Sequence, residues 1–225
     1  MLLTLRRTTL FWLVLSAAFP SVAFGAAPGR YEFARAHMGT QFRIILYARD
    51  PAVATRASEA AFARIARLDA TMSDYTQTSE LNAVCRAAGG GPVRVSEDLF
   101  RILAKAQELA GRTGGAFDVT CGPVVRLWRH ARRTGKLPDR QRLDEALALT
   151  GYEKLRLDEA TRSVTLERAG MQLDLGGIAK GFAVDEALAV LKQHGVGSAL
   201  VGASGDIVVG DPPPGSSGWR ISIAP

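Results

Sequence analysis

The chain has 225 residues, 47% of them hydrophobic and 22% charged, and a net charge of +6. That length and apolar content exclude bulk disorder and allow one large domain or two small ones. The modest positive excess demands no nucleic-acid partner.

The first element in chain order is a leader. Arg6 and Arg7 precede the uncharged apolar stretch 10–18, and then come Pro20, Ser21 and the small-residue site around Ala23-Phe24-Gly25. This is the order of a secretory signal peptide spanning 1–25, with one domain expected over 26–225 in the periplasm. Cleavage deletes Arg6 and Arg7 and no acid, lowering the net charge from +6 to +4. An uncleaved inner-membrane anchor is the alternative, since no charge falls between Arg7 and Arg30. The first cysteine is Cys85, far beyond the cleavage region, so the chain is not read as a lipoprotein.

Strands are expected at 31–36 and 43–48, forming a hairpin about His37-Met38-Gly39-Thr40. Residues 54–69 carry Ala57, Ala61, Ile65 and Leu68 at helical spacing. A second helix begins at the cap Ser96, with Glu97 and Asp98 in its first turn, and stops at Gly111. Further helices are expected at 139–150 and 178–194, each followed by a glycine. Strands are expected at 155–157, 163–167, 171–175, 199–202, 207–209 and 219–223. Strands and helices mix without strict alternation, which points to an α+β fold with a mixed or antiparallel sheet and packed helices. Cys85 and Cys121 read better as small buried hydrophobes than as a disulfide, and no Cys or His cluster suggests zinc.

The strongest chemical signal is Asp174-Leu175-Gly176-Gly177-Ile178-Ala179-Lys180-Gly181, a strand end, a glycine pair and a helix with lysine in its first turn. Backbone N–H groups and the helix dipole there suit phosphate oxygens. The spacing is not that of a Walker A loop. The same glycines also serve tight packing with Asp174 as a cap, so both readings stay open. Gly114-Gly115-Ala116-Phe117-Asp118-Val119-Thr120 sets a carboxylate beside an aromatic ring, and is equally a helix stop with a buried Phe. Tyr75, in Thr71-Met72-Ser73-Asp74-Tyr75, offers a ring for stacking on a flat ligand. The basic run Arg126, Arg129, Arg132, Arg133, Lys136, Arg140 and Arg142 reads as a solvated helix face. His37, His130 and His194 are scattered and none is assigned as a base.

In order along the chain, these segments resemble the ApbE family of FAD:protein FMN transferases. The segments are His37-Met38-Gly39-Thr40, Ser73-Asp74-Tyr75 with Ser79-Glu80-Leu81, the stretch from Gly115 to Pro123, the Asp174 turn and Ser204-Gly205-Asp206. The resemblance implies an ApbE-like (T-fold-like) domain, incomplete at its C-terminus. It implies FAD contacts from Met38, Tyr75, Ala116, Phe117, Asp118, Asp174 and Lys180, and a Mg²⁺ contact from the Gly177 main-chain carbonyl. The reaction implied is Mg²⁺-dependent cleavage of FAD, with FMN joined to a Thr or Ser hydroxyl of an acceptor flavoprotein and AMP released. Nucleic acid is not an expected partner, whereas peripheral proximity to a membrane is compatible with the reading.

Two departures stand out. Gly202-Ala203-Ser204-Gly205-Asp206 occupies the place of the family's Asn-Ala-Gly-Gly-Asp, and no His-x-x-Asp-Pro motif with its following metal ligands precedes Pro225. The catalytic histidine is therefore not assignable here, and the chain is read as a piece of a longer enzyme, inactive alone. The alternative is a truncated, inactive FAD-binding or scaffolding protein.

Overall fold

The computed structural model describes residues 27–222, so the leader expected at 1–25 lies outside the described residues. In chain order the first elements are β1 (Gly29–His37), β2 (Thr40–Ala48), α1 (Pro51–Met72), α2 (Glu80–Arg86), β3 (Val93–Arg94) and α3 (Glu97–Arg112). There follow α4 (Gly122–Thr134), α5 (Arg140–Ala148), β4 (Leu155–Asp158), β5 (Ser163–Leu166), α6 (Ala179–Gln193), β6 (Ala199–Ala203) and β7 (Asp206–Val209). The fold is α+β with two antiparallel sheets, ordered β1-β2-β6-β7 and β3-β5-β4.

The expected hairpin is present. Its turn places Met38 at φ 49° and Gly39 at φ 71°, two consecutive left-handed residues, which suits the twist of a tight two-residue hairpin. Phe42, Ile44, Leu46 and Ala48 alternate as the buried face of β2, the period-two pattern of a sheet covered on one side. Ile44 lies opposite Val201 and Leu46 opposite Ala199 on β6. α1 and α6 pack on each other and on this sheet. Ala54, Ala57 and Ala61 of α1 and Ala183 and Ala187 of α6 are fully buried, and their small side chains permit close helix approach. Phe62, Ile65 and Leu68 then fill the layer, each contributing about 1.5–3 kcal/mol by burial.

Four expectations change. α3 begins as read, with Ser96 Oγ accepting from the Leu99 N–H at 3.3 Å, but it passes through Gly111 to Arg112. The left-handed residues that follow are Gly114 and Gly115, and the Gly115 N–H closes onto the Ala110 carbonyl at 2.9 Å. Met171, Leu173 and Leu175 are buried in alternation, yet residues 171–175 form no strand. Their amides go elsewhere, Leu173 N–H to Cys85 Sγ at 3.3 Å and Asp174 N–H to the Val119 carbonyl at 2.8 Å, while β3 and β4 occupy both edges of β5. Residues 219–222 are not a strand either; Trp219 packs against Tyr47 and donates its indole N–H to the Asp211 carbonyl at 2.9 Å. Lastly, α2 and the two-residue β3 were not anticipated as separate elements, and α4 was anticipated only as the helix face of the basic run.

Candidate functional site

The turn at Asp174 and the loop at 114–120 are neighbours in space. Besides the Asp174–Val119 main-chain bond, a Cβ placed on Gly177 would lie 3.4 Å from Phe117 Cε2. The loop is held from within. Phe117 N–H donates to Thr113 Oγ1 at 3.1 Å, and Asp118 Oδ1 accepts from both the N–H and the hydroxyl of Thr120 at 2.7 Å. Phe117 and Asp118 are half-buried and Ala116 is exposed.

A cleft of about 550 Å³ opens between the hairpin turn, the end of α1 and the start of α6. Met38, Asp69, Asp74, Tyr75, Arg129, Gly176 and Lys180 line it. Of the residues singled out in the sequence, Met38, Tyr75 and Lys180 thus share one wall system, and Asp174 is joined to it through Arg129. Ala116, Phe117, Asp118 and Gly177 adjoin the turn without forming the cleft wall.

The start of α6 carries the electrostatic character expected of an anion site. The N–H groups of Ile178 and Ala179 bond to the Leu175 carbonyl at 3.0 and 2.8 Å. Those of Gly177, Lys180 and Gly181 have no partner among the described residues, and Ile178 at the cap position supplies no side-chain bond. Unpaired amides at a helix start sum with the dipole to attract anions. Lys180 Nζ rests on the Gly176 carbonyl at 3.0 Å, adding a positive charge. Asp174 does not cap the helix. Its Oδ1 instead accepts from the Gly176 N–H at 2.8 Å and closes the glycine turn.

Three further residues shape the cleft and were not assigned from the sequence. Asp69 Oδ2 accepts from the Met38 N–H at 2.8 Å and ties the hairpin turn to α1. Buried Asn82 donates to the carbonyls of Asp74 and Thr76 at 3.1 and 2.9 Å and so shapes the loop that presents Tyr75. Arg129 binds Asp74, bonds Asp174 Oδ2 at 2.6 Å, and lies with its Cζ 4.7 Å from the centre of the Tyr75 ring. Burial works against its charge, but the hydrogen bond to Asp74 and the field of Asp174 outweigh it and raise its pKa. Arg126, Arg132 and Arg133 are exposed, as a solvated face requires, whereas Arg129 turns inward. The signal was helical phase: Arg129 is seven residues after Gly122, which packs on Gln172, so both share one face of α4.

Cys85 and Cys121 are free and half-buried. Burial pushes both thiols up; for Cys121, with Asp174 and Asp118 adding, the value is about 11. Among the described residues no three His, Cys, Asp or Glu side chains gather as a metal site.

The α+β fold thus presents an open cleft bounded by a glycine turn, a lysine and unpaired helix amides, groups whose chemistry suits an anion. The chain belongs to the ApbE family, whose sequence profile matches residues 38–225. It is 34% identical over 177 residues to an FAD:protein FMN transferase of Klebsiella pneumoniae, covering 79% of this chain and 55% of that protein. A Treponema pallidum protein of the same name is 35% identical over 184 residues, covering 78% and 51%. The fold superposes on the flavin transferase ApbE from Vibrio cholerae with a TM-score of 0.81 at 26% identity, over 87% of this chain and 64% of that one. The apo flavinyl transferase ApbE of Pseudomonas stutzeri gives 0.80 at 26% identity, over 88% and 66%. The chain spans about half the length of the curated relatives it matches.

Proposed function

We propose that this chain supplies the FAD-binding part of an FAD:protein FMN transferase. The observation that carries the reading is the cleft at the start of α6, where unpaired amides and Lys180 meet an aromatic ring, Tyr75, exposed for stacking. Met38, Tyr75 and Lys180 would touch the dinucleotide in the cleft, and Ala116, Phe117, Asp118 and Asp174 would act from beside the turn.

In the reaction, the hydroxyl oxygen of an acceptor Thr or Ser attacks the FMN phosphorus. The bond to the bridging oxygen breaks, AMP leaves with that oxygen, and the hydroxyl proton is released. Charge on the pyrophosphate rises as that bond breaks, so fixed donors already aimed at it lower the barrier. Lys180 and the free amides of Gly177, Lys180 and Gly181, at the same helix start, would be such donors. Residues 27–222 hold no cluster of side chains suited to Mg²⁺, although the Gly177 carbonyl accepts no hydrogen bond among them and would be one main-chain ligand. Bound there, Mg²⁺ would neutralise charge on the pyrophosphate oxygens.

The test is to incubate the full-length protein with FAD, Mg²⁺ and a flavoprotein acceptor bearing an accessible Thr or Ser. Mass spectrometry should find one FMN phosphoester on the acceptor with an equal amount of AMP released. A protein that neither binds nor consumes FAD overturns the reading, and binding without transfer returns the inactive flavin-binding alternative. We also propose export to the periplasm by residues 1–25, tested by the N-terminal mass of the protein recovered there. An intact leader on that protein would favour the membrane-anchored alternative.

A further inference from the structure

Two carboxylates and one aromatic ring converge on a single guanidinium. Asp74 comes from the loop after α1, Asp174 from the segment before α6, and Tyr75 from the same loop as Asp74; Arg129 of α4 meets all three. The helix that carries it is anchored at its start, because Gly122 sits so close to Gln172 that an added Cβ would stand 2.5 Å from that residue's carbonyl oxygen. The carboxylates are well shielded from water, Asp74 at 15% and Asp174 at 10% side-chain exposure, and each has the Arg129 guanidinium as a hydrogen-bond partner. Tyr75 is 77% exposed even with Arg129 beside it, which leaves most of its ring free for a ligand.

We propose that Arg129 is a positioning residue for the dinucleotide site, acting through Tyr75 and Asp174. Its planar fork satisfies two carboxylates from different segments at once, and its face backs the tyrosine ring, a geometry an ammonium group does not reproduce. The ring and the glycine turn are thereby held in register before ligand arrives. Preorganisation of this kind appears in affinity, since a ring free to swing must be ordered on binding. The inference rests on the flavin reading of the cleft.

The test is flavin-fluorescence titration of FAD against the full-length protein carrying Arg129→Ala, Arg129→Lys, Tyr75→Ala and the double change Tyr75→Ala with Arg129→Ala. Arg129→Ala should weaken FAD binding about tenfold, and Arg129→Lys should recover part of that loss. In the Tyr75→Ala background, Arg129→Ala should cost clearly less, because the group it positions is gone. If Arg129→Ala does not fold, the lysine variant is compared with wild type in both Tyr75 backgrounds. Equal affinity of the Arg129 variants and wild type, or equal losses with and without Tyr75, overturns the inference alone. Absence of FAD binding by the wild type removes the functional reading and this inference with it.

Discussion

The main-chain N–H of Asp174 donates to the carbonyl of Val119 at 2.8 Å, and this bond joins the glycine turn to the Ala116-Phe117-Asp118 loop. The segments are more than fifty residues apart in sequence, and either one alone has an ordinary structural explanation. Their contact turns them into parts of one surface beside the same helix start.

Asp174 is the first residue to test. Its Oδ1 closes the turn on Gly176 and its Oδ2 holds Arg129. Hydrogen bonds to charged groups contribute about 1.5–3 kcal/mol each, so Asp174→Ala should weaken FAD binding about ten- to a hundredfold. Flavin-fluorescence titration reads this directly, and unchanged affinity would take Asp174 out of the site.

Asn82 is expected to act through the loop it holds. The amide of buried Asn82 donates to the carbonyls of Asp74 and Thr76, and truncation to Ala removes both bonds. The loss should be about 1–3 kcal/mol of stability, seen as a lower midpoint in urea with an unchanged slope. A midpoint equal to wild type would show that the loop is held by other means.

Gly122→Ala tests the anchoring of α4. The new Cβ would stand 2.5 Å from the Gln172 carbonyl oxygen, and the two nearest colliding atoms are backbone, so the helix start must shift. Overpacking of this kind costs about 1–3 kcal/mol. Calorimetry should show a lower melting temperature, and a neutral result would mean that α4 is not seated against that segment.

Cys121 gives a pH-dependent test. Burial raises its thiol from an ordinary 9.0 to about 11 in the folded protein. Its contribution to stability is fully present below pH 9 and is lost as pH rises from 9 through 11, because the unfolded chain releases the proton first. At pH 8 the folded thiol should therefore react with iodoacetamide about a hundredfold more slowly than the unfolded one. Mass-resolved alkylation at Cys121 measures the ratio, and equal rates would place the thiol in water.

Much of this architecture was legible in the sequence. The alternation of β2, the Ser96 cap and the glycines at 151 and 195 are local signals, and local signals set helix and strand boundaries. Residues 171–175 misled because their alternating burial is genuine while their amides bond to Val119 and Cys85, partners no local pattern reveals. At the site, the glycine turn and Tyr75 stood out by residue type. Arg129 did not, because in a run of arginines only its phase on α4 and its partners across the fold distinguish it from its solvated neighbours.

In the proposed function, the Asp174 turn and the Ala116-Phe117-Asp118 loop serve one flavin dinucleotide. Hydrogen–deuterium exchange of the full-length protein with and without FAD tests it most directly. Saturating FAD should slow amide exchange in 116–120 and in 176–181 together, at the same ligand concentration. Protection of one segment with the other unchanged would contradict a shared site.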